Sequence, residues 1–227
     1  MNSVNLQKMY LSANENTIAM WLKNAGIGKA KEENYYDPLK FALAAGIKPP
    51  VSGTVSHLIE ELKRLTNDDP LADTLPTQGF HFTFLPLTLP LYNVNEQLPE
   101  KIKQLTNIWT EFHAKKIVIK DLRLVALPSQ LLLAGIPERA AIDLRQSFCE
   151  KVLNSHWKKE LLMRHTGSPL PAPFWHSTLL RYSAAFLPVT VRQFFIERQA
   201  LNFGNVAGEL ILAKVNYNWS KCYPLKS

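Results

Sequence analysis

The sequence predicts an α+β chain made of two similar halves, and three observations carry that reading. Apolar runs rich in aromatic and β-branched residues alternate with stretches whose apolar positions recur at helical spacing. The order is strand, helix, strand, helix, strand pair, helix, strand, helix, strand, and the frame His-x-Thr occurs once in each half, inside a β-like run that follows a Pro-bearing loop. The chain has 227 residues, 46% apolar and 10% aromatic, enough to fill one large domain or two lobes, which excludes disorder as a description of the whole.

Residues 1–38 read as an N-terminal helical extension, amphipathic about Ile18, Met20, Trp21 and Leu22 and ending in the polar run KAKEENYYDP. Residues 39–227 then read as the main domain, of two lobes. LKFALAAG is a short buried strand closed by Gly46 and the turn-forming IKPPVSG. Val55, Leu58, Ile59, Leu62 and Leu65 form the stripe of an amphipathic helix that ends before Asn67-Asp68-Asp69-Pro70. After a Pro-rich acidic loop, GFHFTFLPLTL has the near-continuous apolar character of a strand inside a sheet.

A second helix starts at Pro99 and carries Ile102, Leu105, Ile108, Trp109 and Phe112 on one side. KIVIKDLRLVA and SQLLLAGI, joined at Leu127-Pro128-Ser129, read as a β-hairpin. A third helix runs from Pro137 to Leu153 with Ile142, Phe148, Cys149 and Val152 as its apolar side. The loop GSPLPAP precedes FWHSTLLRY, again a strand by composition. A helix over Val189 to Gln199 and the β-rich tail GELILAKVNYNW complete the chain.

Lys and Arg number 26 against 19 Asp and Glu, a net charge of +7 that favours a polyanionic partner without identifying it. The two cysteines, Cys149 and Cys222, form no C-x-x-C pair and read as free thiols in a reducing compartment. The N-terminus lacks the apolar core of a secretory signal. The longest apolar stretch, Leu122 to Ile136, is interrupted by Arg123, Pro128 and Gln130 and is too short for a membrane span. The expectation is a soluble, cytoplasmic monomer with no membrane partner. Serine-hydrolase, P-loop and zincin signatures are missing from the sequence.

Six histidines occur, and two share a frame: His81-Phe82-Thr83-Phe84 and His176-Ser177-Thr178-Leu179. On a strand, residues i and i+2 share a face, so each motif presents an imidazole and a hydroxyl side by side. Two such strands around one cleft suit phosphodiester cleavage, above all of a strained cyclic phosphate. A neutral imidazole takes a proton from the attacking water, a protonated one donates to the leaving oxygen, and the hydroxyls donate to the non-bridging oxygens. These groups call on no metal or cofactor.

Arg181 follows Thr178 by three residues and is a candidate phosphate ligand. Strict alternation turns it away from the His176 face unless the strand ends or bulges before it. Phe80 and Phe174 share the His side by alternation and are candidates for stacking a nucleobase, with core packing as the plainer role. Phe82 and Trp175 fall on the core side. Of the remaining histidines, His57 and His113 take polar helix positions, and His165, before Thr166-Gly167, reads as a surface-loop residue, with reach to the cleft mouth as the alternative.

At these two motifs the chain resembles the 2H phosphoesterases, the LigT-like or cyclic phosphodiesterase superfamily. Their hallmark is a pair of H-x-[ST]-x motifs, the first leading into an apolar run and the second often reading H-x-T-L-x-R. HFTFLPL and HSTLLR fit, Arg181 included, and 95 residues separate the two histidines. The resemblance covers residues 38–227, with only the motifs specific. It implies a bilobal fold with pseudo-two-fold symmetry, antiparallel sheets flanking a central cleft. It also implies metal-independent action on 2′,3′-cyclic phosphates or 2′,5′ linkages of RNA and nucleotides. RNA-end exonuclease or ligase activity on the same fold, or a non-catalytic basic RNA-binding module, are the alternatives. The forty or so residues ahead of the usual start, and Phe84 where Leu is common, depart from the family pattern.

Overall fold

The computed structural model describes residues 3–32 and 36–225. Helix α1 spans Ser3–Lys23, strand β1 Phe41–Ile47, helix α2 Gly53–Leu65, strand β2 Ala72–Thr74 and strand β3 Phe82–Pro86. Helix α3 spans Ile102–Trp109, and the strands β4 Lys116–Leu127 and β5 Gln130–Pro137 form the expected hairpin. Helices α4 Arg139–Leu153 and α5 Lys158–Arg164 precede strand β6 His176–Tyr182. Helix α6 Val189–Arg198 and strands β7 Val206–Glu209, β8 Ile211–Asn216 and β9 Cys222–Pro224 follow.

The strands form two antiparallel sheets. One has the order β3-β1-β8-β9 and the other β2-β6-β5-β4-β7, so each sheet holds one of the two His-x-Thr strands. A continuous core lies between the sheets and their helices, with Leu43, Val55, Leu58, Phe84, Trp109, Phe148 and Trp175 among its members. Residues β3 and β6 touch across the two sheets, which brings the motifs together.

Most helices follow the periodicity that predicts them. In α2 the side chain of Ser52 caps the start by accepting from the Val55 amide at 3.3 Å, and Val55, Leu58, Ile59 and Leu62 are buried. Leu65, last in the stripe, is exposed because the helix ends with it. Three short elements go beyond the expectation: β2 forms within the acidic loop, α5 forms between α4 and the loop GSPLPAP, and β9 forms after the β-rich tail.

Helix α1 buries another face than its C-terminal residues suggest. Leu6, Tyr10, Thr17 and Trp21 turn inward, whereas Leu22 is 84% exposed. This face lies on β4 and β5. Beyond Ile119, β4 no longer pairs with β7, and α1 satisfies part of that free edge. Asn14 accepts from the Ala126 amide at 2.8 Å and donates to the Leu124 carbonyl at 3.5 Å, while Thr17 donates to the Ala126 carbonyl at 2.9 Å.

The far end of α1 is held by Arg192 of α6. Its guanidinium donates to the carbonyls of Trp21, Asn24 and Gly26 at 3.2, 2.6 and 2.6 Å, and also to Leu187 at 2.7 Å. A cation at a helix C-terminus satisfies orphan carbonyls and the macrodipole together. Among the described residues no helix is long and apolar enough to cross a membrane.

Candidate active site

The two His-x-Thr strands are built alike beyond the motif itself. Opposite β3, Ala45 pairs with Leu85 and Gly46 with Thr83, so Phe84 is an extra residue in the ladder. Opposite β6, Leu131 pairs with Leu180 and Leu132 with Thr178, so Leu179 is the extra residue. Each strand therefore bulges one position after its threonine, and a bulge resets the alternation of every side chain that follows. In β6 the reset brings Arg181 to the side of His176 and Thr178, the condition its sequence position requires.

His81, Thr83, His176, Thr178, Arg181 and Phe174 all line one cleft of about 260 Å³. Phe80 does not. It is 1% exposed and packs edge-to-face on Phe82 at 5.6 Å. The reason is local: β3 starts only at Phe82, and Phe80 closes the 3-10 turn Thr77–Gly79, so strand alternation does not reach it. Phe82 and Trp175 lie in the core as expected. Phe174 stands edge-on to His176 with ring centres 6.4 Å apart.

His81 is 5% exposed and held from two sides. Its Nδ1 lies 2.7 Å from the Gly79 carbonyl oxygen, and its ring stacks on Trp219 at 4.8 Å and 9°. In the neutral ring Nδ1–H donates to that carbonyl, leaving Nε2 to exchange a proton. The stack needs Gly46 beneath it: a Cβ there meets the Phe82 carbonyl oxygen at 2.6 Å and the Trp219 ring at 2.7 Å. His176 differs, since its buried Nδ1 has no hydrogen-bond partner.

Burial pushes the His81 imidazole down to about 3, against the raising effect of the Gly79 carbonyl, with Arg181, His176 and Lys48 lowering it further. Burial lowers His176 to about 4, with Arg181 and Arg145 adding to it. Both rings are thus neutral in the cleft at neutral pH. An anion held between them would oppose the guanidinium charges and favour protonation of one ring.

Several cleft residues carry no motif in the sequence. Trp219 belongs to the turn after β8, Tyr36 to the segment after α1, and Tyr217 to the same turn as Trp219. Arg181 stands 5.5 Å from the Tyr36 ring, 5.4 Å from the Tyr217 ring and 3.8 Å from the Asp73 carboxylate. Arg145 and His165 are buried cleft residues. For His165 this corrects the surface-loop expectation: it is 6% exposed and its Nε2 lies 3.0 Å from the Pro86 carbonyl oxygen at the end of β3.

No protein-family model matches the chain, and no curated protein sequence matches it. Solved structures do. A crystal structure of a phosphoesterase is similar at 19% identity and a TM-score of 0.50, over 82% of this chain and 96% of that one. E. coli LigT complexed with 3′-AMP is similar at 16% identity and a TM-score of 0.50, again over 82% and 96%. At such identities the likeness is one of fold. The chain has the LigT-like fold, as the resemblance of its two motifs implies.

Proposed function

We propose that the chain is a phosphoesterase of the 2H type that hydrolyses 2′,3′-cyclic phosphates or 2′,5′ linkages of nucleotides or RNA in the cytoplasm. The observation that carries this reading is the pairing of two His-x-Thr strands, one from each sheet, on the walls of one cleft, each with a bulge after its threonine. The LigT-like fold supports it, and E. coli LigT is a protein crystallised with 3′-AMP.

In this reading a water oxygen attacks phosphorus and gives its proton to one imidazole of the His81 and His176 pair. The bond from phosphorus to the ribose oxygen breaks as the other, protonated imidazole donates to that oxygen. Thr83 and Thr178 donate to the non-bridging oxygens as charge gathers on them, and Arg181 adds a fixed positive charge. Base, acid and anion-stabilising donors are all side chains, so no step calls on a metal.

The test is hydrolysis of 2′,3′-cyclic AMP and of an RNA with a 2′,3′-cyclic end, in EDTA. His81→Ala and His176→Ala should each lower kcat by about 10²-fold or more. Turnover that survives both substitutions overturns the assignment, and RNA affinity without turnover points to a binding module.

A further inference from the structure

The cleft holds more positive charge than one phosphate uses. Besides Arg181 on β6, two more guanidiniums line it: Arg145 of α4 and Arg164 at the end of α5, with His165 and Ser168 also in the lining. Among the described residues neither Arg145 nor Arg164 has a carboxylate within ion-pair distance, whereas Arg181 has Asp73.

Arg145 is the more telling of the two. It is 6% exposed, its head lies 3.9 Å over the Trp175 ring, and one terminal nitrogen donates to the Pro173 carbonyl at 3.4 Å. Its buried Nε has no partner. A buried cation is costly unless an anion and hydrogen-bond acceptors meet it, and among the described residues Arg145 has one carbonyl acceptor and no carboxylate. Burial accordingly lowers its pKa to about 10. A phosphate supplies what is absent: a charge and several acceptor oxygens that match a planar fork.

The neighbourhood is also fixed in place. His165 ties the end of α5 to the Pro86 carbonyl of β3, and Ser168 donates its hydroxyl to the His165 carbonyl at 3.1 Å. Arg164 is therefore presented from a braced turn and not from a free loop.

We propose that Arg145 and Arg164 form a second phosphate subsite, so that the ligand of this cleft is a nucleotide with a further phosphate on its O5′ in addition to the phosphate held by the two histidines. The inference rests on the phosphoesterase reading for the first phosphate, but it is tested by binding and does not depend on turnover.

The experiment is calorimetric titration of the whole chain with 3′-AMP, with adenosine 3′,5′-bisphosphate, and with a diadenylate bearing a 3′-phosphate. Wild type should bind the bisphosphate about tenfold or more tightly than 3′-AMP. Arg164→Gln and Arg145→Lys should shrink that preference towards unity, with Arg164→Gln, a half-buried position, the variant that tolerates loss of the side chain. Lys158→Gln, an exposed change on the same helix, should leave the preference intact. Preference for the bisphosphate alone assigns a terminal monoester, and a preference shared by the diadenylate assigns the internucleotide phosphate of an RNA end. Equal affinity for 3′-AMP and the bisphosphate, binding of neither, or a preference that survives in Arg164→Gln and Arg145→Lys, overturns the subsite. A chain that prefers the bisphosphate but opens no cyclic phosphate keeps the subsite and refutes the catalytic reading.

Discussion

The ring of His81 lies parallel to the indole of Trp219, 4.8 Å away and tilted by only 9°. Together with the Gly79 carbonyl at 2.7 Å, the stack leaves the imidazole one orientation towards the cleft. Trp219 is itself fixed by its backbone, whose amide donates to the Asn216 carbonyl at 3.1 Å in a turn that also engages Asn218 and Ser220. Orientation of a proton-transfer group is worth large factors in rate. Trp219→Leu should therefore lower kcat on a cyclic phosphate by about 10²-fold with a smaller change in KM, and Trp219→Phe should restore most of it. Steady-state kinetics beside a melting curve separates this from a simple loss of stability; an equal kcat in Trp219→Leu would refute a positioning role.

Arg181 reaches the cleft only because Leu179 is an extra residue in β6. Beside the stacked Tyr36 and Tyr217 rings, and with Asp73 3.8 Å away, the guanidinium is oriented without being neutralised by a close bidentate pair. Its loss should remove a charge-assisted contact worth about 2 kcal/mol, or roughly 30-fold in kcat/KM, in Arg181→Gln. Arg181→Lys should recover only part, since an ammonium keeps the charge but not the fork.

Acid should weaken the fold through the same two histidines that carry the proposed chemistry. The unfolded chain protonates its imidazoles near their ordinary value of about 6.5, while burial holds His81 down to about 3 and His176 to about 4. Both stay neutral in the native state, so the unfolded state binds more protons below pH 6.5 and stability falls as pH drops from there towards 4. For His81 the slope should approach about 1.4 kcal/mol per pH unit, and for the less deeply buried His176 it should be smaller. Urea unfolding between pH 7 and 4.5 reads this directly: His81→Gln should flatten the decline, and an unchanged decline would show that the native ring titrates normally.

Helix and strand order was legible because the core is segregated by period. The stripe of α2 and the apolar runs of β1, β3, β5 and β6 each identify one element without help from the rest. Short pieces escape this reading. In β2 only Ala72, Asp73 and Thr74 pair with β6, and α5 has seven residues, too few for a period to show.

Within the cleft, His81, Thr83, His176 and Thr178 were visible as a repeated frame, whereas Arg181 depended on a bulge that composition does not announce. Arg145 did leave a mark. It sits three residues after Ile142 and three before Phe148, a charge in the middle of the apolar stripe of α4, where a solvated arginine does not belong. Trp219 arrives from a turn and only tertiary packing tells that it reaches the cleft, while for His165, at a helix end, packing decides between the loop surface and the cleft mouth.

The N-terminal helix meets the backbone beside His176 through one hydroxyl. Tyr10 Oη donates to the Gly135 carbonyl at 3.0 Å and accepts from the Trp175 amide at 3.0 Å, next in sequence to His176. Its ring meets Phe174 edge-on at 4.8 Å, and Phe174 in turn borders His176. Burial raises the hydroxyl well above the ordinary tyrosine range, so it stays protonated and able to donate. Tyr10→Phe keeps the ring and strands a buried amide and carbonyl, which should cost about 1–3 kcal/mol of stability. Because the stranded amide adjoins His176, the same variant should lower kcat several-fold at a temperature where it remains folded, while Asn14→Ala, which loosens α1 over β4 without touching Trp175, should lower the melting temperature and leave kcat near wild type. Equal kinetic losses in the two variants would mean that α1 acts on the cleft through overall stability alone.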